Sequence, residues 1–175
     1  MTSRAGEPFD LGRASAEVGE LLTVPLPATG PTTASGDPAT GEWTVTQGPG
    51  FRIVPLWEGD PMTGVYAPEW SDAEEAAEAR LSSLAEELDH RLGPHTEVPL
   101  HVPLLRWQGG SAVDPLFEAL FRQDLYGDLV VWGPVGADGR RLALTLGRSD
   151  GDQPLVMAAL VSDRAVAASE ESPSP

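Results

Sequence analysis

A chain of 175 residues with 41% apolar content has room for one domain and a closed core. It contains no cysteine, lysine or asparagine, which excludes disulfides, thiolate nucleophiles, Cys-ligated metal, side-chain Schiff bases, a phosphate-loop lysine and N-glycosylation. A net charge of −16, from 27 acidic and 11 basic side chains, repels phosphate backbones and anionic lipid, so nucleic acid and membranes are not expected as partners and a basic protein is.

Residues 1–12 carry Arg4 with no apolar run behind it, unlike a secretory signal, and no window reaches the ~18 consecutive apolar residues of a membrane span, so a cytoplasmic location is expected. The missing lysine and asparagine, with Ile53 as the single isoleucine, match the codon bias of a GC-rich bacterial genome. Phe9, Leu11, Val18, Leu21 and Leu22 form a weak helical pattern opposed by Gly12 and Gly19, which reads as a marginal helix or an arm. Residues 23–41, rich in Pro, Thr, Ala and Gly without periodicity, read as a linker. Two β-rich runs, 42–47 and 51–57, flank Gly48-Pro49-Gly50 as in a hairpin, and a third extended piece is expected over 62–66.

The most legible stretch is 71–93. Ser71 and Glu74 form a capping box, Gly93 suits the left-handed position after the last turn, and Pro94 ends the helix. Ala77, Leu81, Leu84, Ala85, Leu88 and Leu92 recur at three- and four-residue steps and need a hydrophobic partner. The opposite side carries Asp72, Glu74, Glu75, Glu78, Glu86, Glu87 and Asp89 against Arg80 and Arg91. Such a face reads either as an acidic docking surface or as a solvated helix back.

Beyond Pro94, residues 96–108 are expected to be extended, with Pro99 and Pro103 confining them to a sheet edge. Asp114-Pro115 opens a short helix whose Leu116, Phe117, Leu120, Phe121 and Leu125 supply a bulky apolar face. Strands over 128–132, 141–146 and 155–161, joined through Asp138-Gly139 and Asp150-Gly151, form an antiparallel meander. Leu142, Leu144 and Leu146 alternate with Arg141, Ala143 and Thr145, so the middle strand is expected to bury one face. Four Val-Pro-Leu copies, at 24–26, 54–56, 98–100 and 102–104, are too irregularly spaced for a repeat.

The fold class that results is α+β: a two-layer sandwich in which an antiparallel sheet, the hairpin plus the C-terminal three-stranded meander, is covered by one long and one short helix. Residues 1–41 form the arm and linker, 42–163 the single domain, and 164–175 a disordered acidic tail.

Candidate chemistry is sparse. His95, Glu97 and His101 share a face of an extended segment, as metal ligands would, but the outer pair would lie roughly 20 Å apart at ~3.3 Å per residue. Asp114, Glu118, Asp124 and Asp128 cluster in sequence, yet capping and turn roles explain them. Ser111 has no nucleophile elbow, and Gly133, Gly136 and Gly139 suit a turn better than a phosphate loop. Trp43, Trp57, Trp70, Trp107 and Trp132 either fill the core or line a pocket. The expectation is a non-catalytic acidic interaction module, such as an adaptor, assembly subunit or inhibitor. No cofactor, metal or catalytic residue is expected. Its partner is a protein of basic character, homo-oligomerisation being the other arrangement, and its surface includes Glu75, Glu78, Glu86, Asp89, Trp107 and Trp132. The alternative is a small enzyme or ligand-binding domain with a Trp-lined pocket.

Overall fold

In the computed structural model, which describes residues 1–37, 42–61, 67–147 and 154–167, one antiparallel sheet carries helices on both faces. The strands are β1 (Thr33–Ser35), β2 (Val45–Gly48), β3 (Phe51–Glu58), β4 (Thr96–Val98), β5 (Leu129–Val135), β6 (Arg140–Gly147) and β7 (Val156–Ser162). The helices are α1 (Leu11–Leu21), α2 (Ala67–Leu92), α3 (His101–Gln108) and α4 (Pro115–Arg122). Among the described residues the sheet has seven strands in the order β1-β2-β3-β7-β6-β5-β4. Tight turns explain much of that order. Gly48 pairs with Phe51 across the expected hairpin, and Gly136 and Gly139, at φ 71° and 64°, turn β5 into β6. The meander then returns β7 to the centre, where it pairs with β3.

The α+β class with an antiparallel sheet holds, but the long and short helices lie on opposite faces. Leu142, Leu144, Met157, Ala159 and Val161 pack with α1 and α2, while Ala143, Ala158 and Leu160 pack with α4. β6 therefore buries both faces, contrary to the one-faced expectation. Ala143 between Arg141 and Thr145 reads as a spacer in sequence, yet a small side chain is what lets a helix approach the sheet closely. A bulge after Pro55 puts Leu56 and Trp57 in the α1/α2 core and sends Glu58, 4% exposed, to a site where it accepts from the Thr2 N–H at 3.1 Å and hydroxyl at 3.3 Å.

Three local expectations change. α2 is already helical at Ala67, so Ser71 lies inside it and is not its N-cap. Pro68 in the first turn removes only a donor that has no intrahelical partner. The helix end is as expected, with Gly93 at φ 94° and its N–H on the Asp89 carbonyl at 2.9 Å. The extended segment expected over 96–108 is strand only at edge β4 and then helix α3, because Pro103 falls at its third position, where a missing N–H is tolerated. The helical alternative read for residues 1–22 is met by α1, capped by Asp10 on the Arg13 N–H and burying Ala14, Val18 and Leu21, but the stretch expected as linker adds edge strand β1. The third extended piece at 62–66, the Asp150-Gly151 turn and most of the tail lie outside the described residues.

On the α2 stripe, Ala77, Leu84 and Leu88 are buried and Leu81 half-buried against the sheet. α4 meets its expectation in full: the Asp114 carboxylate accepts from the Leu116 N–H at 2.9 Å, Pro115 opens the helix, and Leu116, Phe117, Leu120 and Phe121 are buried.

Candidate binding groove beside the long helix

The outward face of α2 is more acidic than its composition requires, because its arginines turn away from its acids. The Arg80 guanidinium lies 4.9 Å from the Trp57 ring centroid, a cation–π contact. Arg91 donates to the Ser15 hydroxyl of α1 at 2.7 Å. Asp72, Glu75, Glu78, Glu86 and Glu87 are exposed and make no ion pair among the described residues.

Asp89 is the exception among these acids, for it is turned toward the sheet. Its carboxylate accepts from Trp132 Nε1 at 2.8 Å, from the His95 backbone N–H at 3.1 Å and from His95 Nδ1 at 2.9 Å. The imidazole also stands edge-on to the Trp132 ring, centroids 5.6 Å apart. The His95 hydrogen bond, ahead of that from Trp132, holds the Asp89 carboxyl below its ordinary value. A carboxylate only accepts, so Nδ1 carries a proton and, in the neutral ring, Nε2 is left as an acceptor. Nε2 has no hydrogen-bond partner among the described residues.

His95 opens onto a groove of about 570 Å³ between α2 and the β4–β5–β6 side of the sheet. Leu81 and Ala85 of α2, Val130 of β5 and Leu146 of β6 give it an apolar floor; Glu78, Glu86, Glu97 and Asp128 stand around it. No arginine lines it. Apart from the Ser82 hydroxyl and the His95 ring, the polar side chains there present acceptors only.

The residues singled out in sequence fall into separate places. Glu78 and Glu86 border the groove, Glu75 is exposed but outside it, and Asp89 sits behind it holding His95. Trp132 is buried at 1% exposure and is linked to the groove through its ring contact with His95 and its Nε1 bond to Asp89. Trp107 is half-buried on the opposite face against Phe121, centroids 5.6 Å apart. Trp43 and Trp57 are buried, and the Trp43 Nε1 donates to Thr46 at 2.9 Å. His95 and Glu97 line the groove while His101 begins α3 outside it, and no group of three or more ligating residues could hold a metal ion among the described residues. Asp114 caps, Glu118 pairs with Arg122 at 2.8 Å, and Asp124 accepts from the Tyr126 hydroxyl at 2.5 Å. Asp128 lies 3.4 Å from the Leu100 N–H at the groove rim. Ser82, Val130 and Leu146 escaped sequence reasoning, since an exposed serine and two strand residues carry no local signal.

No helix among the described residues is long and apolar enough to cross a membrane. Comparisons with protein-family models, curated proteins and solved structures give no match.

Proposed function

We propose that the protein is a non-catalytic interaction module, an adaptor, assembly subunit or inhibitor, that offers the acidic side of α2 to a basic partner protein. The observation that carries this reading is that Arg80 lies over Trp57 and Arg91 donates to Ser15, while Glu75, Glu78, Glu86 and Glu87 of the same helix are exposed and make no ion pair among the described residues. Unscreened acids of this kind speed encounter with a basic surface and oppose binding to acidic ones.

Capture from the source lysate, compared between the native chain and a variant with Glu75, Glu78, Glu86 and Glu87 all changed to Gln, tests the proposal. A protein held by the native chain at low salt, and lost both at high salt and on the variant, supports it. The same captured proteins on both chains overturn it.

A second reading, a small enzyme or ligand-binding domain, draws on the Asp89–His95 pair, the arrangement that orients a general base. No hydroxyl bonds to His95 Nε2 among the described residues, and Trp43, Trp57 and Trp132 are core residues, so the interaction reading is preferred.

A further inference from the structure

The groove beside α2 narrows the chemistry of the partner, and its assignment to a ligand rests on the interaction reading. Its carboxylates Glu78, Glu86, Glu97 and Asp128 belong to three separate segments of the chain, and its floor is apolar. A volume near 570 Å³ lies within the ~300–1,000 Å³ of ordinary ligand sites. A site built of acceptors favours a ligand built of donors, and an apolar floor favours one that also carries hydrocarbon.

We infer that the groove binds a short peptide segment of the partner in which arginine alternates with an apolar side chain. Arginine suits the site better than lysine does. Its planar guanidinium has five N–H donors and can engage separated acceptors at once, whereas an ammonium is a compact, strongly hydrated charge. Asp89 holds the His95 ring in place at the groove through Nδ1. Alternation matches the mixed lining, carboxylates together with apolar residues, since successive side chains of an extended peptide point to opposite sides. A second copy of this chain is the poorer occupant, as it brings another −16 charges.

The test uses the full chain and a fluorescein-labelled octapeptide of alternating arginine and leucine, followed by anisotropy at about 50 mM salt and again at about 300 mM. Glu97→Arg changes the groove, and Asp60→Arg makes the same change in net charge at an exposed position outside both the groove and α2. Both positions are exposed, and matching melting curves establish that both variants fold. Glu97→Arg is expected to weaken peptide binding at least ~10-fold and Asp60→Arg no more than ~2-fold. An arginine–glycine octapeptide is expected to bind at least ~5-fold more weakly than the arginine–leucine one, having lost the buried apolar contact.

Equal weakening by the two variants overturns the groove while leaving the acidic-face reading intact. So does equal binding of the two peptides. Failure of the arginine–leucine peptide to bind at low salt, with salt-sensitive partner capture still present, overturns the groove alone; loss of both overturns both. Self-association of the native chain that Glu97→Arg abolishes makes a second copy the occupant, and overturns the peptide.

Discussion

Beneath α4 the sheet meets rings packed on rings: Phe117 and Phe121 lie 6.4 Å apart, Phe121 and Tyr126 6.2 Å, and Trp107 and Phe121 5.6 Å. Beneath α1 and α2 it meets mainly leucines, alanines and valines, with Trp57 and Trp132 set apart among them, tied at their margins by polar links, Asp89 to His95 and Trp132, Arg91 to Ser15, and Arg140 to the end of α1. The aromatic face puts its bulk into the interior. The α2 face puts leucines inward, but it also keeps acids, an oriented imidazole and a groove at its rim. On the proposed reading, stability and recognition fall on different sides of one sheet, so substitutions on the two sides should fail in different ways.

The largest expected effect is on the aromatic side. Phe121 is 1% exposed and touches each of the other rings, so Phe121→Ala should cost ~3–5 kcal/mol in urea unfolding. Peptide binding by the fraction still folded should be unchanged. A loss below ~1 kcal/mol would mean that the site collapses without penalty and that this face is not the anchor.

Arg140 tests how the other face is fastened. Its side chain, almost wholly buried, donates from Nη1 to the Val24 carbonyl at 2.6 Å and to that of Leu22 at 3.2 Å, just past the C-terminal end of α1, where a cation also complements the helix dipole. Arg140→Ala leaves those carbonyls without a donor and should cost ~1–3 kcal/mol. Hydrogen exchange should show α1 opening more readily while α4 keeps its protection. Uniform loss of protection would place α1 in the same cooperative unit as the aromatic face.

A smaller effect is expected at Asp89, and it depends on pH. The His95 and Trp132 hydrogen bonds depress its pKa in the folded chain, so its contribution is fully present above the unfolded carboxyl value, ordinarily ~3.9, and is lost as pH falls through the folded one. Other carboxylates titrate over the same range, and the difference between the native chain and Asp89→Asn isolates this one. The stability gap between the two should close on acidification. A gap that stays constant would remove the charge of Asp89 as the source.

Much of this division is legible in the sequence. Asp114-Pro115 and Phe117, Leu120 and Phe121 mark α4 because cap, proline and apolar spacing agree, and the meander follows from alternation and from Asp138-Gly139. α3 is hidden because Pro103 breaks a strand or the middle of a helix but not a helix's first turn, and spacing alone does not say which position it holds. The helices' opposite placement is hidden because Ala143 and Ala158 are neutral in an alternation count. For the groove, the acids of α2 are visible, and so are His95 and Glu97 as a pair. What joins them is Val130, set beside Glu97 by pairing between β4 and β5, which are distant in the chain, and Leu146 on the next strand; no local pattern encodes the meeting of these strands with α2.

The smallest expected effect belongs to Tyr126, at the exposed margin of the aromatic side. Desolvation, helped by its hydrogen bond to Asp124 and by that carboxylate's charge, pushes its phenol up to about 12. A phenol raised in this way favours its neutral form in the folded chain, so the contribution is present below the ordinary tyrosine value, ~10, and is lost as pH rises toward 12. Phenolate absorbance followed through alkaline titration should therefore show one late-titrating tyrosine, and Asp124→Ala should bring it part of the way back toward the ordinary value. Only part is expected, because burial beside Phe121 is the larger cause and survives the substitution. Full return would make the Asp124 carboxylate the dominant influence, so that even on the aromatic face the rim would be governed by charge.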